Sequence, residues 1–395
     1  MSQPRSPEIR ALAGARALPP LILVLFHYCE AHGYRGTKWF DLPVGKGYLW
    51  VEFFFMLSGF VLTYVYGARW REMWRWRTWL RFQTTRLARL YPLHLTMLFV
   101  ILFMVITLRA LAAHYGYVSI YDEKWHPINT WSSFVANLFL VQAWNIFPYL
   151  SWNGASWFVS VEFLLCLLFP LYLVIASRGM AGAIVLILGG ASGLTLLALT
   201  SKHGLDLTFH NGIFRGMAAF AIGIGMAVLH ERIRSRHGNA LPSYAHSLAQ
   251  SAALALLLYA IYETGWAHRP EDIYTVLAMA PLIFALSFDR GIVAAALKTP
   301  LPLRLGEWSY AIYIGQTALL QLLRHAQLHL YPASTAMILG RPWASWGPIW
   351  HWLEPALLVA AAILWGFLLF TLVEQPTASF LRGLIGRQRR GVAPA

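Results

Sequence analysis

The sequence predicts an all-α fold, a polytopic transmembrane helix bundle of about ten helices, and three observations carry that reading. Of 395 residues, 58% are hydrophobic and only 12% are charged, where an ordinary soluble domain carries about 25% charged residues. Apolar stretches near 20 residues, each able to cross roughly 30 Å of hydrocarbon at about 1.5 Å per residue, recur along the whole chain. The cations between those stretches alternate in density, rich on one side of the membrane and sparse on the other. A soluble fold would have nowhere to bury so much apolar surface.

Spans are expected near 17–31, 47–67, 90–112, 156–177, 181–200, 211–230, 246–264, 272–289, 308–327 and 353–374. The stretch 131–149 is apolar but short, and Asn137, Gln142, Asn145 and Pro148 interrupt it. It is expected to form an interfacial or re-entrant segment, with an eleventh span as the alternative. The chain reads as one membrane domain over 1–382 followed by a basic cytoplasmic tail over 383–395.

The formal charge of +14 would suit nucleic acid if the cations formed one patch, but they sort by side of the membrane instead, and no nucleic-acid partner is expected. With a cytoplasmic N-terminus, the inner segments hold Arg5, Arg10, Arg16, the run Arg69 to Arg89, Arg178, Arg232, Arg234, Arg236, Arg290, Lys298, Arg304 and the tail. The outer loops hold mainly Arg35, Lys38, Lys46, Lys124, Lys202, Arg269 and Arg341. This is the positive-inside pattern, and an even span count puts both termini in the cytoplasm. Cys29 and Cys166 fall inside spans and are expected as reduced apolar fillers. The first apolar run lacks an A-x-A-like exit, so it is expected to remain as the first helix.

Ionisable groups inside spans cost several kcal/mol at the bilayer centre, so His27, Glu52, Glu162 and Arg215 each raise a functional question. Arg16 and His27 are eleven steps apart, which at 100° per residue returns to within about 20° of the same helix face. Their axial separation is about 16 Å, close to the reach of the pantetheine arm of coenzyme A from pyrophosphate to thiol. A snorkelling Arg and an interfacial His fit the same spacing. Arg86 and Arg89 are three apart in RFQTTRLARLYPLHL, so both can grip one anion, and guanidinium forks suit phosphate oxygens. Seven arginines between 69 and 89 would also satisfy the positive-inside bias alone. Glu162 could orient an imidazole, accept a hydroxyl proton or bind a sugar hydroxyl, or it could simply reach water at the interface. Arg215, near the outer start of its span, could pair with Glu162 or with a substrate carbonyl.

Other chemistries lack their parts. The sequence has no G-x-x-x-x-G-K-[ST] loop, no H-E-x-x-H, no Cys/His metal cluster and no G-x-S-x-G elbow, and no metal is expected.

Several blocks resemble the integral membrane acyltransferase-3 family. Arg16 with His27 is similar to that family's R-x10-H pair, WVEFFFMLSGFVLTY at 50–64 to its second-helix block, and RLARLYPLHL at 86–95 contains its R-x-x-R motif. WFVSVEF at 157–163, LGEWSYAIYIGQ at 305–316 and VEQPTASFLR at 373–382 resemble three further blocks, in the family's order. Phe158 stands where the family often has Ser or Thr, and Gln316 where a His is common, so acid–base chemistry at position 316 is in doubt.

The resemblance implies transfer of an acyl group, acetyl by default, from cytoplasmic acyl-CoA (acetyl-CoA) to a hydroxyl of a glycan, lipid-linked sugar or similar acceptor, in the bacterial cytoplasmic membrane. On this reading Arg16, Arg86 and Arg89 hold the CoA phosphates. His27 is the general base, imidazole's ordinary pKa near 6.5 leaving it mostly neutral at working pH, and transient acylation of His27 is the variant. Glu162 positions His27 or the acceptor, and Arg215, Tyr310 and Gln316 are candidates for the acceptor pocket. The rival classes are a multi-spanning exporter of glycan or lipid without acyl transfer, since intramembrane charges also mark substrate pathways, and a non-catalytic membrane subunit. Acceptor identity, acyl length and homo-oligomerisation are not written in the sequence.

Overall fold

The structure, a computed structural model, describes residues 7–31, 44–116, 121, 128–237, 242–266, 268–330, 335–338, 341–344 and 350–387. Arg35, Lys38 and Lys124 of the expected outer loops, and the expected basic tail from 388 onward, lie outside these residues.

The described chain is a helix bundle. In order it forms α1 (Arg10–Ala15), α2 (Leu18–Ala31), α3 (Trp50–Tyr66), a 3-10 stretch (Gly67–Trp74), α4 (Trp76–Tyr115), α5 (Trp131–Leu138), α6 (Trp157–Ala176) and α7 (Met180–Thr200). There follow α8 (Gly212–His237), α9 (Ser243–Thr264), α10 (Asp272–Leu286), α11 (Ile292–Leu297) and α12 (Pro300–Leu330). A short antiparallel pair, β1 (Thr335–Ile338) and β2 (Arg341–Ala344), precedes α13 (Trp350–Leu369), a π-helical turn (Phe370–Glu374) and α14 (Gln375–Arg387). α14 runs across the boundary expected at residue 382.

Among the described residues, eight helices are long and apolar enough to cross a membrane. Two of the ten expected spans take other forms. The expected span at 272–289 is α10, only 15 residues long, and the one at 308–327 lies inside the 31-residue α12. The outward faces explain the composition. Phe103 is 70% exposed and Leu199 67%, surfaces that water would penalise and lipid accepts. α4 has 40 residues, about 60 Å at the helical rise, twice the hydrocarbon thickness. Its first turns, which carry Arg77, Arg81, Arg86 and Arg89, therefore extend beyond the apolar part predicted at 90–112.

The segment 131–149 does not span. After the eight residues of α5 the backbone turns back through left-handed Leu140, Asn145 and Trp152. The polar residues that interrupted the apolar pattern satisfy this fold-back: Asn137 donates to Ser133 O at 2.8 Å and to Ser151 Oγ at 3.0 Å, and Ser156 Oγ donates to Asn137 Oδ1 at 3.1 Å. Asn153 then donates to Ile314 O at 2.9 Å, docking the fold-back on α12. Irregular backbone is tolerated at membrane depth where protein groups satisfy it.

At the centre, α3 crosses α8 closely enough that backbones nearly touch. A Cβ on Gly59 would meet Phe220 O at 2.3 Å, and one on Gly223 would meet Met56 O at 2.0 Å. Only glycine permits that approach on both helices. Gly223→Val is therefore expected to cost about 1–3 kcal/mol through overpacking, seen as a lower midpoint of thermal unfolding in detergent; an unchanged midpoint would mean that the crossing is looser than described.

Candidate active site

Arginine-bearing helix ends meet at one end of the bundle. Arg234, late in α8, lies 5.9 Å from the ring of Tyr64, late in α3, and Asp289, just past α10, accepts from the Ala11 amide at 2.8 Å. At this end a narrow cavity of about 60 Å³ is lined by Arg16, Arg86 and Arg89 together with Ser58, Glu162 and Tyr310. α1 ends just before Arg16, and α2 begins two residues later with Pro19 and Pro20 in its first turn, where proline is accommodated. The expected stripe from Arg16 to His27 is thus two helices with a joint between them, not one continuous face. The three arginines nevertheless converge, from two distant parts of the sequence.

Glu162 does not orient His27. It lies in the arginine cavity, where its Oε1 accepts from Arg86 Nη2 at 2.5 Å and from Ser58 Oγ at 2.5 Å. The physical reason is register: on α6 the carboxylate points toward α4, and Gln83, which donates to Cys166 O at 2.8 Å, fixes that pairing of helices. Among the described residues Arg86 Nε and Glu162 Oε2 are buried with no hydrogen-bond partner. Three guanidiniums outnumber the buried carboxylates around them, Glu162 in the lining and Glu374 near Arg89 and Arg16, which leaves the cavity positive and suited to an anion. Tyr310, expected at the acceptor pocket, also belongs here, its hydroxyl donating to Leu90 O at 2.6 Å.

A second, larger cavity of about 630 Å³ is lined by His27, Glu30, Asp206 and Gln316, with aromatic walls from Phe26, Tyr48, Trp157 and Phe209. That volume is typical of a small-molecule site, about 300–1,000 Å³. His27 Nδ1 lies 3.8 Å from Glu30 Oε2, one helical turn on, and both side chains are nearly half exposed. Gln316 is 2% exposed, and neither of its side-chain polar atoms has a partner among the described residues. A buried amide left unpaired costs about 1–3 kcal/mol, which a ligand hydroxyl or carbonyl would recover.

Arg215 lines neither cavity. It is fully buried and bonded through Nε and Nη2 to Glu52, while Nη2 also donates to Tyr48 O at 2.7 Å and Nη1 to Leu207 O at 3.1 Å. Its guanidinium also lies 5.5 Å from the Trp157 ring. Beside it Lys46 bonds Asp272 at 2.6 Å, and Tyr48 donates to the same carboxylate at 2.5 Å. In the loop after α7, Asp206 lies 3.3 Å from His268. Donating to that carboxylate holds the His268 imidazole above its ordinary range.

A family model for the acyltransferase domain of acyltransferase-3 proteins matches residues 9–376. The chain belongs to the acyltransferase-3 family. It is similar to the acyltransferase MdmB of Streptomyces mycarofaciens, with 26% identity over 422 residues, 99% of this chain and 96% of that protein. No solved structure matches the chain significantly. With its apolar helices the protein is an integral membrane acyltransferase, and the exporter without transfer and the non-catalytic subunit are set aside.

Sequence reasoning missed three residues of this site. Glu30 had a signal, its spacing of three from His27 on one helix face. Asp206 had none, because a loop carries no periodicity. Tyr313, a wall of both cavities, read as one aromatic among many. Glu52 had been noticed as an intramembrane charge, but its partner could not be read. Because removing one partner of a buried pair leaves the other charge uncompensated, Glu52→Ala is expected to destabilise the fold by about 3–5 kcal/mol. Thermal unfolding in detergent measures this, and a variant as stable as the wild type would show that the pair is not structural.

Proposed function

We propose that the protein moves a short acyl group, acetyl by default, from acyl-CoA to a hydroxyl of a glycan, lipid-linked sugar or similar acceptor. The carrying observation is the division of labour between two neighbouring cavities, one lined by Arg16, Arg86 and Arg89 and the other by His27 and Gln316. The arginine cavity has the charge for the CoA phosphates, and its ring of cations at one end of the bundle supports placing it at the cytoplasmic face of a bacterial inner membrane, with both termini on that side. The two cavities adjoin at Tyr313, which lines both, and this suits an arm that bridges phosphate and thioester.

The acceptor lies in the larger cavity with its hydroxyl against His27. The hydroxyl oxygen attacks the thioester carbonyl carbon, a C–O bond forms and the C–S bond breaks. The hydroxyl proton passes to the free imidazole nitrogen and then to the departing thiolate, which leaves as CoA thiol. Glu30 stabilises the imidazolium from the Nδ1 side, and Gln316 binds an acceptor oxygen or the carbonyl. Glu162 acts at a distance from the proton transfer: it holds Arg86 and Ser58 in place at the phosphate end. Aromatic walls with few, separated polar groups suit the apolar face of a sugar ring.

His27→Ala is expected to remove transfer, by a factor of about 10²–10⁴ for a lost general base, while labelled acetyl-CoA is still retained by purified protein. Normal transfer by that variant would rule His27 out as the base. Arg86→Ala or Arg89→Ala is expected to raise the KM for acyl-CoA before it lowers kcat. Gln316→Ala is expected to raise the acceptor's KM and leave that of acyl-CoA unchanged, and the opposite pattern would move Gln316 to the donor side. Mass spectrometry of glycans and lipids from cells with and without the protein tests the acceptor class. Products that differ by no acyl mass would overturn the proposal.

A further inference from the structure

Tyr313 lines both cavities, and around it the boundary between them falls at one level on three helices. On α3, Val51 faces the larger cavity and Phe54 the arginine cavity; on α6, Trp157 faces the larger and the next residue, Phe158, the smaller. On α12, Tyr310 lies on one side, Gln316 on the other and Tyr313 between them. The partition is made of rings. Phe54 and Phe158 have centroids 5.7 Å apart, Phe158 and Tyr313 5.5 Å, and Phe54 and Tyr313 6.1 Å. Three rings so spaced are in mutual van der Waals contact and leave no open bore among them. Phe158 and Tyr313 are buried, and Phe54 is half-buried.

The geometry points to Phe54, Phe158 and Tyr313 as a threading constriction that selects the donor by the cross-section of its acyl group. The inference rests on the proposed function: a thioester whose phosphates stay with Arg16, Arg86 and Arg89 reaches His27 only by passing acyl end first between these rings. An unbranched acyl chain is no wider than the arm that follows it, so a small rotation of one ring admits both. A branched or aromatic acyl group needs two rings to yield at once in a packed interior that resists overpacking. Chain length is left to the larger cavity, which has room for it. Width is decided at the rings, and acetyl, propionyl and butyryl thioesters pass where benzoyl and pivaloyl thioesters do not.

The test compares donors within one variant, so that any loss of folded protein cancels. Full-length protein in lipid nanodiscs is given acetyl-, butyryl- or benzoyl-CoA with a glycan and lipid extract of the native cells as acceptor, and acyl incorporation and CoA thiol release are followed. The wild type is expected to use acetyl- and butyryl-CoA at comparable kcat/KM and benzoyl-CoA far less well. Phe158→Ala is expected to raise the benzoyl-to-acetyl ratio of kcat/KM by about tenfold or more, the scale on which a hydrophobic pocket discriminates small steric differences, and Phe158→Leu by less. If Phe158→Ala fails to fold, Phe158→Leu and Phe54→Ala carry the same comparison. A wild type that accepts benzoyl as readily as acetyl, or a ratio unmoved in every folded variant, overturns the constriction while leaving the acyl transfer intact. No transfer from any of the thioesters overturns the function itself, and the constriction with it.

Discussion

The buried pair of Arg215 and Glu52 is the interaction on which the rest of the structure depends. Both groups have no exposure, and taking two charges out of water costs several kcal/mol per ion unless every remaining donor and acceptor is met. Here four of the five guanidinium N–H groups find acceptors: Glu52 takes two, and Tyr48 O and Leu207 O take one each. Lys46, Tyr48 and the Leu205 amide all bond Asp272 beside it. The result ties together the ends of α3, α8 and α10 and the loop after α7. α3 and the loop after α7 supply Val51 and Asp206 to the larger cavity, the turn before α3 supplies Tyr48, and Trp157 of α6 lies against Arg215, so the clamp fixes that cavity's walls without entering the chemistry.

The neighbouring arginine cavity uses charge differently. Arg16, Arg86 and Arg89 gather round a cavity where Glu162 bonds Arg86 and the buried Glu374 lies near Arg89 and Arg16, so guanidiniums outnumber the buried carboxylates there. A fully paired cluster would have nothing to offer a phosphate. The two clusters thus divide the intramembrane charges into a closed set that holds the fold and an open set that faces ligand. Intramembrane ionisable residues are functional by default, and here half of the four that stood out in the sequence serve the architecture instead.

Along both cavities, α12 works as a ruler. Its face presents Tyr310 to the arginine cavity, Tyr313 to both cavities and Gln316 to the larger one, positions three apart that a helix stacks about 4.5 Å from one another. The amphipathic sequence of α12 follows from this duty. Its inward face lines both cavities with polar groups, while Leu301 and Leu322 stay exposed on the outside.

The sequence by itself determined the class of the protein: the apolar stretches, the sided arginines and the non-spanning segment 131–149 follow from transfer energies and from backbone hydrogen-bond satisfaction, which act locally along the chain. It also brought forward Arg16, Arg86, Arg89, His27 and Gln316, because periodicity and residue chemistry are one-dimensional properties. Only the tertiary structure decided who pairs with whom. Glu162 went to Arg86 and not to His27, Arg215 to Glu52 and not to either cavity, and Tyr310 to the arginine cavity, because each choice depends on the rotation of one helix against another. A rotation of that kind is set by contacts such as Gly59 on Phe220 and Gly223 on Met56, between residues far apart in sequence. The partition at Tyr313 was out of reach for the same reason: a level shared by three helices exists only once they are packed side by side.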